Sequence, residues 1–211
     1  LATGHAMRSI ATARAGRALR AALLAAAALV AIAATPAAIP SAMAQQVPVP
    51  TIAAKSWLLL DVTSGQVIAA HEPDIKIEPA SLTKLMTAHL AFNALEEKRL
   101  TLDARPPVST AAWKAIGSRM FVDPAKPATV EELLNGLIVQ SGNDASIILA
   151  EAVAGTEQAF AELMNREAQR LGMKNTQFRN ATGLPDPQHY TTARDLALLA
   201  TQVVTAHPEY Y

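Results

Sequence analysis

Pro79-Ala80-Ser81-Leu82-Thr83-Lys84-Leu85-Met86-Thr87 is the most informative stretch of this chain. A serine hydroxyl is a poor nucleophile until a neighbouring base takes its proton. A lysine three positions further along a helix places its amine on the same face, one turn away from that hydroxyl. Ser81 and Lys84 therefore indicate a serine nucleophile that is activated by lysine.

The residues after Ser81 have the spacing of a helix. Apolar or weakly polar side chains recur at intervals of three and four, at Leu82, Leu85, Met86, His89 and Phe92. This pattern predicts a helix that begins at Ser81 and is buried along one side. Free backbone N–H groups at a helix start also favour developing negative charge near the nucleophile.

A second motif, Ser141-Gly142-Asn143, follows sixty residues after Ser81. It is the only Ser-x-Asn in the chain, and Ser81 opens its only Ser-x-x-Lys. Alone, the first motif is more often a capped helix with a solvated lysine, and the second is more often a turn between helices. Their occurrence together favours a catalytic site.

The two motifs, in this order, resemble those of the penicillin-recognising serine hydrolases. The surrounding sequence is similar to the low-molecular-mass D-alanyl-D-alanine carboxypeptidases across residues 55–211. That similarity is carried by Ser56-Trp57-Leu58-Leu59-Leu60-Asp61 with Ser64-Gly65, by residues 79–87, by Gln140-Ser141-Gly142-Asn143-Asp144-Ala145, by Leu171-Gly172-Met173-Lys174-Asn175-Thr176-Gln177-Phe178 and by Thr192-Ala193-Arg194-Asp195.

This resemblance implies an α+β fold of the β-lactamase/transpeptidase type, in which an antiparallel sheet and a helical cluster hold the nucleophile between them. It implies that Ser81 forms an acyl-enzyme with Lys84 as base and that Ser141 relays a proton to the leaving amine. Asn143 is expected to bind the amide backbone of the substrate. An unperturbed lysine titrates near ~10.4, so the base role requires a pKa lowered by burial or by a neighbouring cation.

The implied activity is that of a serine D-Ala-D-Ala carboxypeptidase that trims peptidoglycan pentapeptide and is acylated by β-lactams. A D,D-endopeptidase of the same superfamily and a penicillin- or muropeptide-binding protein without turnover remain alternatives. We expect neither a cofactor nor a metal site, because His71-Glu72 is followed by Pro73 and the second histidine of a zinc-protease helix is absent.

The resembled family has a third motif, Lys-Thr-Gly or His-Thr-Gly, that this chain does not contain. We therefore expect residues 55–211 to be the N-terminal portion of the domain, with the late strands of the sheet absent and little activity in this portion alone. The family often continues into a C-terminal domain or a membrane-binding helix. Attachment to the membrane surface through residues beyond 211 is a further expectation.

Residues 1–44 are predicted to be a secretory signal peptide whose natural start is Met7. They contain four arginines, no acidic residue, a short run rich in alanine and leucine, and Ala42-Met43-Ala44 at the cleavage position. Residues 45–54, with alternating valine and proline, are predicted to be an extended linker. The protein is therefore expected in the periplasm, and the expected membrane attachment would place it at the outer face of the inner membrane.

Charge and cysteine content exclude several classes of function. Without residues 1–44 the chain carries 14 basic residues against 18 acidic ones, a formal charge of −4, so nucleic acid is not an expected partner. The chain has no cysteine, which excludes thiol catalysis and cysteine metal sites.

Local patterns in the sequence predict a hairpin, several helix ends and the environments of individual side chains. Residues 56–61 and 66–70 are predicted to form a hairpin that turns at Ser64-Gly65. Thr129 with Glu132 is predicted to be a capping box, Gly155 and Gly172 are expected to end helices, and Thr192 with Asp195 to begin one. His89 is interpreted as a core histidine, His189 and His207 as exposed loop residues, and Arg194-Asp195 as a structural pair.

Overall fold

The computed structural model describes residues 51–210 and begins with a β-hairpin. Strand β1 (Trp57–Asp61) pairs antiparallel with β2 (Gln66–His71), with Trp57 opposite His71 and a bulge between Leu59 and Leu60. Gly65 has φ +71°, a conformation that glycine adopts without strain. The hairpin predicted from the sequence is confirmed, whereas the signal peptide and most of the linker lie outside the described residues.

Helices account for most of the remaining described structure. A short 3-10 turn spans Ala80–Thr83 and continues into a long helix. The α-helices are α1 (Lys84–Glu96), α2 (Thr110–Trp113), α3 (Val130–Val139), α4 (Asn143–Ala154), α5 (Glu157–Arg170) and α6 (Ala193–Ala206). An antiparallel hairpin beside a helical cluster agrees with the expected α+β class.

Helix α1 lies at the centre of the helical cluster and contacts α3, α4, α5 and α6. The sequence predicted burial along one side only, and this was wrong. Ten of its residues are buried, and they lie around most of its circumference. Leu82, which was placed on the buried side, is 52% exposed, because it lies in the preceding 3-10 turn rather than on the helix.

The core divides into two groups of apolar side chains that flank α1. One group joins α1 to α2, α3 and α4 and includes Phe92, Leu133, Leu137 and Ile148. The other joins α1 to α5 and α6 and includes Met86, Phe160, Phe178 and Leu199. Because α1 contributes to both groups, the motif at its start is anchored from two sides.

The helix ends follow the local sequence signals. Thr129 Oγ1 accepts from the Glu132 N–H, and the Glu132 carboxylate accepts from the Thr129 N–H, which confirms the capping box of α3. Gly155 and Gly172, with φ of +82° and +79°, follow α4 and α5 as predicted. Thr192 caps α6 by accepting from the Asp195 N–H.

His89 and His207 form a buried pair that joins three helices. His89 Nδ1 lies 2.8 Å from His207 Nε2, and His89 Nε2 lies 2.7 Å from the Glu167 carboxylate on α5. His207 contacts the Glu96 carboxylate through its other nitrogen. His89 is a core histidine as predicted, but the exposed position predicted for His207 was wrong, since the residue is fully buried.

Arg194 and Asp195 have structural roles, although they do not pair with each other. Arg194 forms a bidentate ion pair with Asp74, at 2.6 and 2.9 Å, which ties α6 to the segment after β2. Asp195 is buried and accepts from the Asn175 N–H and the Thr176 hydroxyl.

Apolar side chains of the hairpin are exposed within residues 51–210. Leu59, Val67 and Ile68 are 50, 41 and 60% exposed, and no third strand joins the sheet in the part of the chain that is described. Across the same residues, no helix is long and apolar enough to cross a membrane.

Candidate active site

The 3-10 turn places Ser81 and Lys84 in different environments. Pro79 begins the turn with helical backbone angles, and Ala80 then has φ +47° before the chain enters α1. Ser81 is exposed, whereas Lys84 is only 6% exposed. The Lys84 ammonium lies 3.4 Å from Ser81 Oγ, so the amine predicted to be the base is near the predicted nucleophile.

Lys84 Nζ is held by two oxygen atoms from distant parts of the chain. It donates to Asn143 Oδ1 and to the Thr182 carbonyl, each at 2.8 Å. Burial lowers the pKa of Lys84 from 10.5 to about 8, since the charged form loses hydration. The neutral amine that a general base requires is therefore accessible near physiological pH.

Asn143 is the first residue of α4 and is buried. Its amide oxygen accepts from Lys84, and its Nδ2 donates to the Ile116 carbonyl at 2.7 Å. In this structure the side chain therefore orients Lys84. The contact with a substrate amide implied by the resemblance stays a prediction.

Ser141 lies at the turn between α3 and α4 with φ +55°. A residue other than glycine in this region carries about 1–3 kcal/mol of strain, and such strain is concentrated at functional sites. Among residues 51–210, its hydroxyl is the one buried side-chain N or O atom without a hydrogen-bond partner. Its hydrogen-bonding capacity is therefore unused in this structure, and its role as a proton relay stays a prediction.

A cleft of about 210 Å³ brings Ser81, Lys84 and Ser141 together. Its remaining wall is apolar and is formed by Leu82, Leu85, Ala88, Leu137 and Ile138. Leu82 and Ile138 are more than half exposed at its rim. The structure therefore places three of the four predicted site residues on one surface, with Asn143 behind Lys84.

The loop of residues 179–189 contributes to the site and was not identified from the sequence. Its Thr182 carbonyl binds Lys84. Gly183 packs directly against the 3-10 turn of Ala80–Thr83. A Cβ atom at Gly183 would lie 1.8 Å from the Ala80 carbonyl oxygen, and its φ is +83°. The turn-forming sequence Asn180-Ala181-Thr182-Gly183 was the available signal, but it does not show which residues the turn contacts.

His189 ends this loop, and the prediction that it is exposed was wrong. The residue is 3% exposed and lies against Thr83, with Nε2 2.9 Å from Thr83 Oγ1.

Within residues 51–210, no cluster of three histidine, cysteine or acidic side chains is arranged to hold a metal ion.

Comparison with known proteins defines the family. The profile of the D-alanyl-D-alanine carboxypeptidase family matches residues 42–211. The chain belongs to the D-alanyl-D-alanine carboxypeptidase family. It is 41% identical over 174 residues to the D-alanyl-D-alanine carboxypeptidase DacC of Escherichia coli, covering 79% of this chain and 43% of that protein. It is 38% identical over 151 residues to DacF of Bacillus subtilis, covering 72% of this chain and 39% of that protein.

Solved structures of this family share the fold. The D-alanyl-D-alanine carboxypeptidase DacD of Francisella tularensis superposes with a TM-score of 0.75 at 40% identity, covering 77% of this chain and 39% of that one. Penicillin-binding protein D2 of Listeria monocytogenes, solved in its ampicillin-bound form, has a TM-score of 0.69 at 28% identity, with 77% and 66% coverage. The chain thus spans about two fifths of the length of DacC and DacF. The predicted fold type is confirmed.

Proposed function

We propose that the full-length protein is a serine D-Ala-D-Ala carboxypeptidase that removes the terminal D-alanine of peptidoglycan pentapeptide. The observation that carries this proposal is the position of Lys84 Nζ, 3.4 Å from Ser81 Oγ, together with a pKa of Lys84 lowered by burial to about 8. Membership of the D-alanyl-D-alanine carboxypeptidase family supports the same activity.

The reaction proceeds through an acyl-enzyme on Ser81. Neutral Lys84 takes the Ser81 proton, and Oγ attacks the carbonyl carbon of the penultimate D-alanine. The tetrahedral intermediate collapses with cleavage of the C–N bond, and the leaving amine receives a proton through Ser141. Water then attacks the ester, which releases the shortened peptide and restores the Ser81 hydroxyl. Asn143 and the Thr182 carbonyl keep the Lys84 amine directed at the nucleophile.

A β-lactam is expected to acylate the same serine. Its strained amide presents a carbonyl to Ser81, and the ring-opened product remains joined as an ester. The structural similarity to a penicillin-binding protein solved with ampicillin supports this expectation.

Labelling with a fluorescent penicillin tests the assignment of the nucleophile. In the full-length protein, Ser81→Ala should abolish the label and retain the fold, since one hydroxyl contributes only about 1 kcal/mol net. Ser64→Ala, at an exposed serine in the turn of the hairpin, is the matched control and should label normally. A label that maps to another serine would refute the assignment.

Product analysis separates the carboxypeptidase from its alternatives. Release of D-alanine from a tripeptide that ends in D-Ala-D-Ala supports the proposal. Cleavage of crosslinked muropeptides without that release indicates an endopeptidase. Penicillin labelling without either reaction indicates a binding protein that does not turn over.

We further propose export to the periplasm, with residues 1–44 as the cleaved signal peptide. A basic start, a short apolar run and Ala42-Met43-Ala44 support this location. The peptidoglycan substrate lies in the same compartment, and attachment to the outer face of the inner membrane would hold the enzyme close to it. N-terminal sequencing of the fractionated protein should find Gln45 first, and recovery of residues 7–44 would contradict export with cleavage.

A further inference from the structure

His189 has both ring nitrogens engaged in the interior. Nδ1 lies 3.2 Å from the Arg179 backbone nitrogen, whose N–H can only donate, so Nδ1 is the acceptor. The proton of the neutral ring is therefore on Nε2, which donates to Thr83 Oγ1 at 2.9 Å. With the ring 3% exposed, these two contacts fix both its charge state and its tautomer.

The hydrogen bond from His189 to Thr83 is one of three that join the loop of residues 179–189 to residues 83–87. The Thr182 carbonyl accepts from Lys84 at 2.8 Å, and the Ala181 carbonyl accepts from the Thr87 hydroxyl at 2.7 Å. The three bonds are made by Thr83, Lys84 and Thr87, which lie within five residues of the chain. Because His189 also accepts from the Arg179 N–H, it links Thr83 to the start of the segment that carries the Ala181 and Thr182 carbonyls.

We propose that His189 is a positioning residue for Lys84: in its neutral form it joins the loop to Thr83 and so keeps the Thr182 carbonyl against the Lys84 amine. The inference rests on the proposed roles of Ser81 and Lys84. A displacement of about 1 Å at a reacting group can lower a rate by about 10²-fold, so a remote hydrogen bond of this kind has a measurable effect.

Protonation of His189 would break its hydrogen bond with the Arg179 N–H. A proton on Nδ1 would face the Arg179 N–H, and two donors would then oppose each other in a buried site. The surrounding charged groups are Lys84 from α1, Glu157 from α5, which accepts from the Ala181 N–H, and Arg179 and Asp186 within the loop. Burial lowers the pKa of His189 and Asp186 opposes this, so the ring stays neutral except under acidic conditions.

Two substitutions in the full-length protein test the role of His189. His189→Gln keeps an acceptor and a donor at a spacing of about 2.2 Å, similar to that of the two ring nitrogens, but cannot be protonated. His189→Leu removes both hydrogen bonds at a similar volume. His71→Gln, at an exposed histidine of β2, is the matched control. The measured quantity is the rate of Ser81 acylation by a fluorescent penicillin from acidic pH to pH 9.

At pH 8 we expect His189→Leu to acylate about 10- to 100-fold more slowly than the natural protein and His189→Gln to restore most of the rate. At acidic pH the natural protein and His71→Gln should lose rate with a second ionisation, which His189→Gln should lack. A His189→Leu rate equal to that of the natural protein, or a His189→Gln rate as low as that of His189→Leu, would overturn the proposal.

Nitrogen-15 NMR of the histidine rings gives a test that does not depend on activity or on any variant. It should show His189 neutral, with the proton on Nε2, at pH 7, and a proton on Nδ1 would overturn the proposal. Failure of the proposed roles of Ser81 and Lys84 is recognised separately, since the natural protein would then carry no label on Ser81 at any pH. Failure of the carboxypeptidase activity is recognised by the absence of D-alanine release from the tripeptide.

Discussion

At the scale of single residues, Lys84 decides what the site can do. Its amine is enclosed, close to Ser81 Oγ, and bound by neutral oxygen atoms rather than by a carboxylate. A carboxylate partner would favour the ammonium and raise the pKa, whereas burial among neutral groups lowers it. The environment therefore favours a base over a structural ion pair.

The first prediction concerns this base. Lys84→Arg should lower acylation by about 10²- to 10⁴-fold, since a guanidinium keeps its proton and cannot act as a general base. In the natural protein, the logarithm of the acylation rate should rise with pH up to about 8 and then level off, following the deprotonation of Lys84. Stopped-flow kinetics with a chromogenic β-lactam measures both. Acylation by Lys84→Arg at the natural rate would move the base role elsewhere.

The second prediction concerns Asn143, whose Oδ1 is 2.8 Å from Lys84 Nζ. Asn143→Asp should raise the pKa of Lys84 by about 1–2 units, because the new carboxylate stabilises the ammonium. The midpoint of the pH–rate curve should move upward by that amount. Asn135→Asp, on the exposed side of α3, is the control and should leave the curve in place. An unchanged curve in Asn143→Asp would argue that Asn143 acts only on the substrate.

At the scale of elements, the helices are joined by buried polar groups as well as by apolar packing. His89 on α1 contacts Glu167 on α5 and His207, which directly follows α6. Glu167 is also bound by Arg170, so Glu96, His207, His89, Glu167 and Arg170 form one continuous series of polar contacts. It fixes the ends of three helices relative to one another.

The third prediction follows from that cluster. His89→Leu and His207→Leu should each destabilise the protein by about 1–3 kcal/mol, since each leaves a polar partner in the interior without its bond. The double variant should lose less than the sum of the two, with a coupling of about 0.5–3 kcal/mol. Urea unfolding of the four proteins measures the coupling. Additive losses would show that the contact between the two rings contributes nothing of its own.

At the scale of the whole molecule, the hairpin is the least supported part of residues 51–210. Two strands alone are marginal in water, and an uncovered apolar face favours association with other chains. Leu59 and Ile68 are at least half exposed on this hairpin. The resemblance implies that the third motif of the family lies on a further strand of the same sheet, beside Ser81.

The fourth prediction compares a protein of residues 45–211 with the full-length protein. The shorter protein should associate at micromolar concentration and should acylate Ser81 at least ~10²-fold more slowly, since loss of one oxyanion donor alone has about that effect. Sedimentation velocity and penicillin labelling measure the two properties. Comparable acylation rates would show that the third motif is dispensable. Ile68→Thr in the shorter protein should reduce association without restoring acylation.

Local sequence is enough to predict the hairpin, the capping box of α3, the helix ends and the Ser-x-x-Lys spacing. Each of these depends on hydrogen bonds or backbone angles within a few residues, and the side chains involved are visible in a short window. The glycines with positive φ at Gly65, Gly155 and Gly172 are examples. The resemblance carried by the two motifs then identified the family.

The surroundings of the site residues depend on the tertiary structure. Lys84 is bound by oxygen atoms 59 and 98 positions away, and Thr83 by a histidine 106 positions away. His189 and His207 are also buried by residues far away in the chain. The prolines near them in the sequence therefore led to the wrong prediction that both are exposed. A pKa depends on desolvation and on partners in space, and neither can be read from the neighbouring residues of the chain.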